Sequence, residues 1–198
     1  MNKLIIIGAG GHGKVAADIA LQVGYTDIAF LDDHGNASLR VIGTTADISK
    51  YVNEADFFVA IGNAMVRKRF FDELKHLNAN VVRLIHPRAM IARSAVLGEG
   101  VLVAAGALVG VDAVLGDGAI VNTLASVDHD CKLGHFSHIS AGVHMAGTMQ
   151  IEDYTFVGVG ASVVQNICSN CIIGAGAVVA KPITESGTYV GVPARKIK

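Results

Sequence analysis

A histidine between two carboxylates stands at Asp128-His129-Asp130, and His135, His138 and His144 follow within the next fifteen positions. An unperturbed imidazole titrates near about 6.5, so its neutral form can accept a proton at physiological pH. A neighbouring carboxylate fixes the tautomer of such a ring and strengthens it as a base. General-base chemistry at His129, with Asp128 or Asp130 as the orienting group, is therefore the first expectation. Residue types alone also suit a solvated corner, the commoner place for an exposed histidine beside two acids. Asn122-Thr123 and Cys131 lie close by in sequence. A metal site would need the histidines to converge, and their spacing distributes His135, His138 and His144 over different corners, so no metal is expected.

Position in the chain decides what these residues can reach. From Ile91 an aliphatic residue returns every sixth place: Leu97, Val103, Val109, Leu115, Val121, Val127, Leu133, Ile139, Met145, Ile151, Val157 and Val163. A period of six fits neither an α-helix nor a single strand. It fits a short strand, a corner and a repeat, three of which close one triangular coil of a parallel β-helix. The spacing predicts about five coils, one of them short, because Val163 to Ile173 spans ten residues where two repeats need twelve. His129 falls two places after an inward Val127, so it projects from a corner.

A different pattern precedes the repeat. Leu4-Ile5-Ile6-Ile7 reads as a buried parallel strand, entered directly from Met1-Asn2-Lys3. It runs into Gly8-Ala9-Gly10-Gly11-His12-Gly13-Lys14 and a helical stretch from Val15 to Val23. Ile28–Leu31, Phe57–Ile61 and Val81–Ile85 read as further strands, and Ala64 to Leu77 as a helix. Alternation of strand and helix implies a small parallel α/β domain. Gly8, Gly10 and Gly13 spell G-x-G-x-x-G between a strand and a helix, where backbone N–H groups and the helix N-terminus suit a phosphate. Asp32 and Asp33, at the end of the second strand, suit the hydroxyls of a ribose. A dinucleotide needs two such halves and only about 85 residues precede the repeat, so one nucleotide is the expectation. The boundary is set at His86-Pro87, giving domains 1–87 and 88–198.

The composition is 52% hydrophobic and 17% charged with a formal net charge of -1, which offers no footprint for nucleic acid. No apolar run suits a membrane span, and the start lacks a small-residue cleavage site, so a cytoplasmic protein is expected. Of three cysteines, Cys168 and Cys171 form a C-x-x-C pair without a second pair at zinc spacing. Packing in a reducing compartment is the expected role of all three.

Gly8-Ala9-Gly10-Gly11-His12-Gly13, Phe30-Leu31-Asp32-Asp33, Ala60-Ile61-Gly62-Asn63, Leu84-Ile85-His86-Pro87, Asn122-Thr123, His129-Asp130, Gly134-His135-Phe136-Ser137-His138-Ile139-Ser140 and Gly191-Val192-Pro193-Ala194 occur in that order. With them the chain resembles the bacterial UDP-4-amino-sugar N-acetyltransferases of bacillosamine-type pathways. These belong to the hexapeptide-repeat superfamily, with sialic acid O-acetyltransferases and perosamine N-acetyltransferases as relatives. The resemblance implies an α/β half-Rossmann domain followed by a left-handed parallel β-helix, a hand opposite to the usual crossover preference. It implies acetyl transfer from acetyl-CoA, the co-substrate, to the amine of a nucleotide sugar, a UDP-4-amino-trideoxy sugar first among them, for surface glycan synthesis. O-acetylation of a sugar hydroxyl and N-acetylation of GDP-perosamine are the alternatives. His129 would be the base and Asp130 its orienting acid, where close relatives usually carry Glu. Gly10, Gly11, His12, Asp32, Asp33, Gly62 and Asn63 would hold the nucleotide sugar. His138, Gly147, Val159, Ala175 and Arg195 would meet acetyl-CoA, with the Gly147 N–H on the thioester oxygen. The resemblance also implies a homotrimer with the acetyl-CoA groove between neighbouring prisms.

Overall fold

The computed structural model describes residues 3–198, so the expected entry into the first strand lies outside the described residues where it falls on Met1 and Asn2. The chain divides into two compact units, 1–87 and 88–198. Among the described residues no helix is long and apolar enough to cross a membrane.

The first unit is built on β1 (Lys3–Ile7), α1 (Gly11–Gln22), β2 (Asp27–Leu31), β3 (Val41–Gly43), β4 (Asp56–Val59) and α2 (Ala64–His76). The four strands form one parallel sheet in the order β3-β2-β1-β4. Leu4, Ile5, Ile6 and Ile7 are all fully buried, which is why this strand reads as an unbroken apolar run rather than an alternation. Ile19 and Ala20 of α1 and Phe70 and Leu74 of α2 complete the core. Two expectations need correction. The segment after Asp33 contributes β3, which pairs with β2 through an irregular register and is too short to stand out in sequence. The expected strand Val81–Ile85 makes only a single parallel bridge, Phe57 to Val81, before leaving the sheet at the exposed Arg83; Leu84–Ile85 alone is extended.

Glycine is required at two places in the first turn. Gly8 sits at φ 102°, a left-handed conformation that disfavours any side chain. A Cβ on Gly13 would fall far inside contact distance of the Gly8 carbonyl oxygen, so α1 can pack on β1 only with glycine there.

The second unit is a parallel solenoid with three faces. Face one carries the strands at Val96–Leu97, Val114–Leu115, Lys132–Leu133 and Gln150–Ile151. Face two carries Leu102–Val103, Ile120–Val121, His138–Ile139, Phe156–Val157, Cys171–Ile173 and Gly187–Val190. Face three runs from Met90–Ile91 through Leu108–Val109, Ser126–Val127, His144–Met145 and Ser162–Val163 to Val178–Val179. The expected five coils are in fact six. Single bridges at Ile167 and Ile183 extend face one, reached by corners two residues shorter than the rest. At the first of these, Asn166 Oδ1 accepts the Gln150 N–H at 2.8 Å and replaces a backbone partner.

From Val103 onward the sixth-place aliphatics are almost fully buried. A second inward column, two places earlier, holds small residues: Ala107, Ala113, Ala119, Ala125, Cys131, Ser137, Ala161, Cys171 and Ala177. Cys131 and Cys171 therefore fill coil positions. From Leu97 onward each regular corner closes through a left-handed residue three places after the inward aliphatic, with φ between 54° and 68°.

The glycines of the first turn can be told apart by stability. Gly13→Ala should cost about 1–3 kcal/mol through overpacking, whereas Gly11→Ala, whose Cβ would meet nothing within 4 Å, should stay within about 0.5 kcal/mol. Urea titration of both variants measures the difference, and equal costs would contradict the packing described.

Candidate active site

His129 and Asp130 occupy the corner that leads from face three to face one, and Asp130 is its left-handed residue, at φ 58°. That conformation is one Asp tolerates better than most residues. The corner is tied down on both sides: Asp130 N–H donates to Val111 O and Thr148 N–H to His129 O, both at 2.8 Å. The His129 N–H donates to Asp128 Oδ1 at 2.7 Å. The turn brings His129 Nδ1 to 2.8 Å from Asp130 Oδ2. With Nδ1 donating to a carboxylate, the proton is placed there and Nε2 is left with its lone pair. The hydrogen bond to Asp130 raises the His129 pKa above its ordinary value, and the charges of Asp128 and Asp130 add to it.

Eighteen residues on, one coil along the same corner, is Gly147. A Cβ there would strike the His129 ring at Nε2, so glycine lets the imidazole lie across the next coil. Among the described residues no acceptor takes the Gly147 N–H. The His129 ring and the Gly147 N–H are thus brought together at one corner.

The other expected acetyl-CoA residues lie elsewhere on the prism. His138 points outward from face two, its ring edge-on to Phe156 with centroids 5.2 Å apart, and its Nε2 is 3.3 Å from Asn122 Nδ2. Val159 and Ala175 are exposed on successive coils of the corner from face two to face three. Arg195 belongs to the antiparallel hairpin that ends face two, and its Nη1 donates to Ala194 O at 2.9 Å. Within one copy these four residues do not share a corner with His129. His135 caps the corner between faces one and two, where its Nδ1 accepts the Asp117 N–H at 3.0 Å. His144 is on face three with Nδ1 2.9 Å from Ser126 Oγ. The four histidines thus point in four directions, and among the described residues no three His, Cys, Asp or Glu converge as a metal site.

In the first unit the strand order reverses between β1 and β4, and ligands of open α/β sheets bind outside the carboxyl ends of strands at such a switch point. Gly10 and Gly11 follow β1, and Gly62 and Asn63 follow β4. At Gly10, Gly11 and Gly62 an added Cβ would meet nothing within 4 Å, so no contact within the chain demands glycine there. Asn63 caps α2 by accepting the Val66 N–H at 3.0 Å. His12 is half-buried; burial first, and then the charge of Arg67, push its pKa down to about 4. It stays neutral at pH 7, offering one donor and one acceptor.

Asp32 and Asp33 have work inside the chain. Asp32 Oδ2 accepts the Ala9 N–H at 2.7 Å, and Oδ1 accepts those of His34 and Gly35 at 2.9 and 3.0 Å. Partial burial pushes this carboxyl up, but the three backbone donors together outweigh it and hold the pKa low. Asp33 Oδ1 takes both the N–H and the hydroxyl of Thr45. Both acids therefore shape the turn.

Two residues escape the sequence reading. Asn36 Nδ2 donates to Ala9 O at 2.7 Å and ties the loop to the glycine turn. Arg67, only 1% exposed, donates through Nη1 to the carbonyls of Ile61 and Gly62 at 2.7 and 2.9 Å, holding the β4–α2 turn from beneath. Neither differs in sequence from an ordinary loop amide or helical arginine.

A βαβ unit followed in sequence by a hexapeptide solenoid, with a histidine–acid pair at one corner, defines an acyltransferase class. Residues 3–74 match the PglD N-terminal domain family. The acetyltransferase domain of PglB from Neisseria gonorrhoeae is 40% identical with a TM-score of 0.96, each chain covered over its full length. Its structure with acetyl coenzyme A gives a TM-score of 0.95 over 99% of both chains. PerB from Caulobacter crescentus, solved with CoA and GDP-perosamine, is 35% identical with a TM-score of 0.94 over 99% of this chain and 97% of that one. The UDP-N-acetylbacillosamine N-acetyltransferase of Bacillus subtilis is 33% identical over 113 residues, which are 53% of this chain and about half, 52%, of that relative. The chain belongs to the left-handed β-helix sugar N-acetyltransferase family of PglB, PglD and PerB.

The two perturbed histidines can be read directly. In an NMR titration His129 should titrate above 6.5 and His12 near 4. Asp130→Asn should lower the first and leave the second in place. A His129 value at or below 6.5 would mean that its contact with Asp130 is not kept in solution.

Proposed function

We propose that this protein transfers the acetyl group of acetyl-CoA to the amine of a nucleotide-linked amino sugar, with a UDP-linked 4-amino sugar as the substrate class. The observation that carries the reading is the pairing of His129 with Asp130 across a glycine, with Nε2 directed outward over Gly147. The amine nitrogen attacks the thioester carbonyl and a tetrahedral intermediate forms. His129 Nε2 takes the proton the nitrogen sheds, and the CoA thiolate leaves as the carbonyl re-forms. Asp130 holds the ring and stabilises the imidazolium. The Gly147 N–H is the donor for the oxygen on which negative charge develops. The nucleotide sugar lies along the crevice of the first unit, with Gly10, Gly11 and Gly62 giving clearance, His12 and Asn63 polar contacts, and Asp32 and Asp33 the shape of the rim.

His138, Val159, Ala175 and Arg195 form the acetyl-CoA half of the site on another part of the prism, so a second copy must supply them to His129. Exposed Val111, Leu124 and Val159 at the corners support that packing. The reading is a homotrimer, with three interfaces each joining the His129 corner of one prism to the face two side of the next. Both proposed substrates are cytoplasmic metabolites, and the enzyme is placed there. A GDP-linked amino sugar is the second reading, favoured by the likeness to PerB with its GDP-perosamine.

A panel of UDP-, GDP- and dTDP-linked amino sugars assayed for CoA release tests the substrate class. A base within reach of the reacting nitrogen contributes ~10²–10⁴-fold, so His129→Ala should lower kcat by that order with little change in KM. Near-normal turnover in that variant would remove His129 as base. Because the protonated ring is inactive, kcat/KM should rise with pH along a limb centred above 6.5, and Asp130→Asn should shift that limb to lower pH. Sedimentation equilibrium should give three protomers of 20.5 kDa; a monomer at micromolar concentration would refute the shared site.

A further inference from the structure

Cys168 and Cys171 end a four-residue turn between the bridge at Ile167 and the strand Cys171–Ile173. Every N–H in this turn has a fixed acceptor. Cys168 donates to Ile183 O at 2.9 Å and Asn170 to Asp153 O at 3.0 Å. Ser169 donates to the Glu152 carboxylate at 3.1 Å, and Cys171 to Thr155 Oγ1 at 3.2 Å. The Thr155 hydroxyl, almost fully buried, in turn donates to Cys168 O at 3.0 Å. One threonine therefore clamps the backbones of both cysteines. Asn170, at φ 59°, closes the turn. The result is two free sulfurs 3.6 Å apart. A disulfide needs about 2.05 Å, so the sulfurs must approach by roughly a further 1.5 Å.

The two thiols differ in access. Cys168 is half-buried and lines an open cavity of about 460 Å³ together with Gln150, Glu152, Asn166, Pro182 and Thr184. Cys171 is fully buried in the coil, its Sγ 3.7 Å from Glu185 O. Sequence spacing alone gives this pair no more than a packing role, since C-x-x-C does not say whether the sulfurs face each other.

We propose that Cys168 and Cys171 are a thiol–disulfide couple oxidised by hydrogen peroxide, with Cys168 as the attacking sulfur and Cys171 as the resolving one. The Cys168 thiolate attacks one peroxide oxygen, the O–O bond breaks, and the second oxygen leaves as water after taking a proton. Cys168 is then a sulfenic acid. The Cys171 sulfur attacks it, the S–O bond breaks, and the Cys171 proton leaves with the hydroxyl as a second water. Two thiols are oxidised by two electrons and one peroxide is reduced. Burial, and then the hydrogen bond with Cys168, raise the Cys171 pKa to about 12. It therefore waits as a neutral thiol while Cys168 meets the oxidant. Proximity favours closure of the disulfide over attack by a second peroxide. The new bond would lie at the root of the C-terminal hairpin, since Cys171 pairs with Gly187 and Glu185 binds Lys196 at 2.7 Å.

The test uses the full chain, treated with hydrogen peroxide, alkylated with N-ethylmaleimide after unfolding, and weighed intact. The expected product is 2 Da lighter, with one thiol, Cys131, alkylated, and dithiothreitol restores all three. In Cys171→Ser the sulfenic acid at Cys168 should persist and form a dimedone adduct, whereas Cys168→Ser should leave Cys171 unoxidised. The proposal is overturned if the natural chain keeps three alkylatable thiols, if it accumulates sulfinic acid without the 2 Da loss, or if Cys171→Ser yields no adduct. None of these outcomes depends on acetyl transfer.

Discussion

From Leu97 onward the solenoid depends on one backbone constraint: three places after each inward aliphatic of a regular repeat, the chain enters the left-handed region to turn a corner. Glycine meets this requirement at no steric cost, and it fills the corner between faces two and three at Gly106, Gly142, Gly160 and Gly176. The corner bearing His129 is built from Asp112, Asp130 and Thr148 instead. A side chain at a left-handed position is carried beside its preceding neighbour, which is why Asp130 reaches His129 Nδ1. The acid thus closes the corner and fixes the imidazole. The short side chain of Asp is suited to both tasks, because Asp is among the residues that accept this backbone conformation.

The first unit obeys a different constraint, the reversal of strand order between β1 and β4. The glycines at that switch point fall into two physical groups. Gly8 and Gly13 are fixed by backbone conformation and packing, and their substitution damages the fold. Gly10, Gly11 and Gly62 face open space, and no contact within the chain resists a side chain there. The same division runs through the acids. Asp32 holds three backbone N–H groups, so its loss loosens the turn from Ala9 to Gly35 as well as any contact with a ligand. Arg67 fixes the carbonyls of Ile61 and Gly62 from beneath, and its charge adds to the burial that keeps His12 neutral.

What could be read from sequence follows from which interactions are periodic. The six-residue return of aliphatics marks the solenoid because each inward position repeats one contact. Gly147 stands one full coil of eighteen residues after His129, so their adjacency is implicit in the register. The number of coils was not legible, since the corners before Ile167 and Ile183 drop two residues and rely on bonds such as that of Asn166. β3 was missed because three residues carry too little pattern, and the Val81 segment was overread because a β-branched apolar run resembles a strand whether or not it pairs for more than one rung. Asn36 and Arg67 are invisible in the same sense: their importance lies in carbonyls that they meet only after folding.

The repeat that makes the fold legible also limits what one copy can do. Residues eighteen apart stack on the same corner, whereas residues of different corners are held on different edges of a packed prism and cannot converge by any local motion that leaves the core intact. His129 and Gly147 are of the first kind. His138 is on face two, and Val159 and Ala175 lie at the corner between faces two and three. On the proposed reading, a reaction that uses both groups is assembled from two prisms, and the coil register sets the height at which they meet. Under the proposed function, assembly completes the active site, and the edges and corners of the solenoid, which carry little of its core, carry its chemistry.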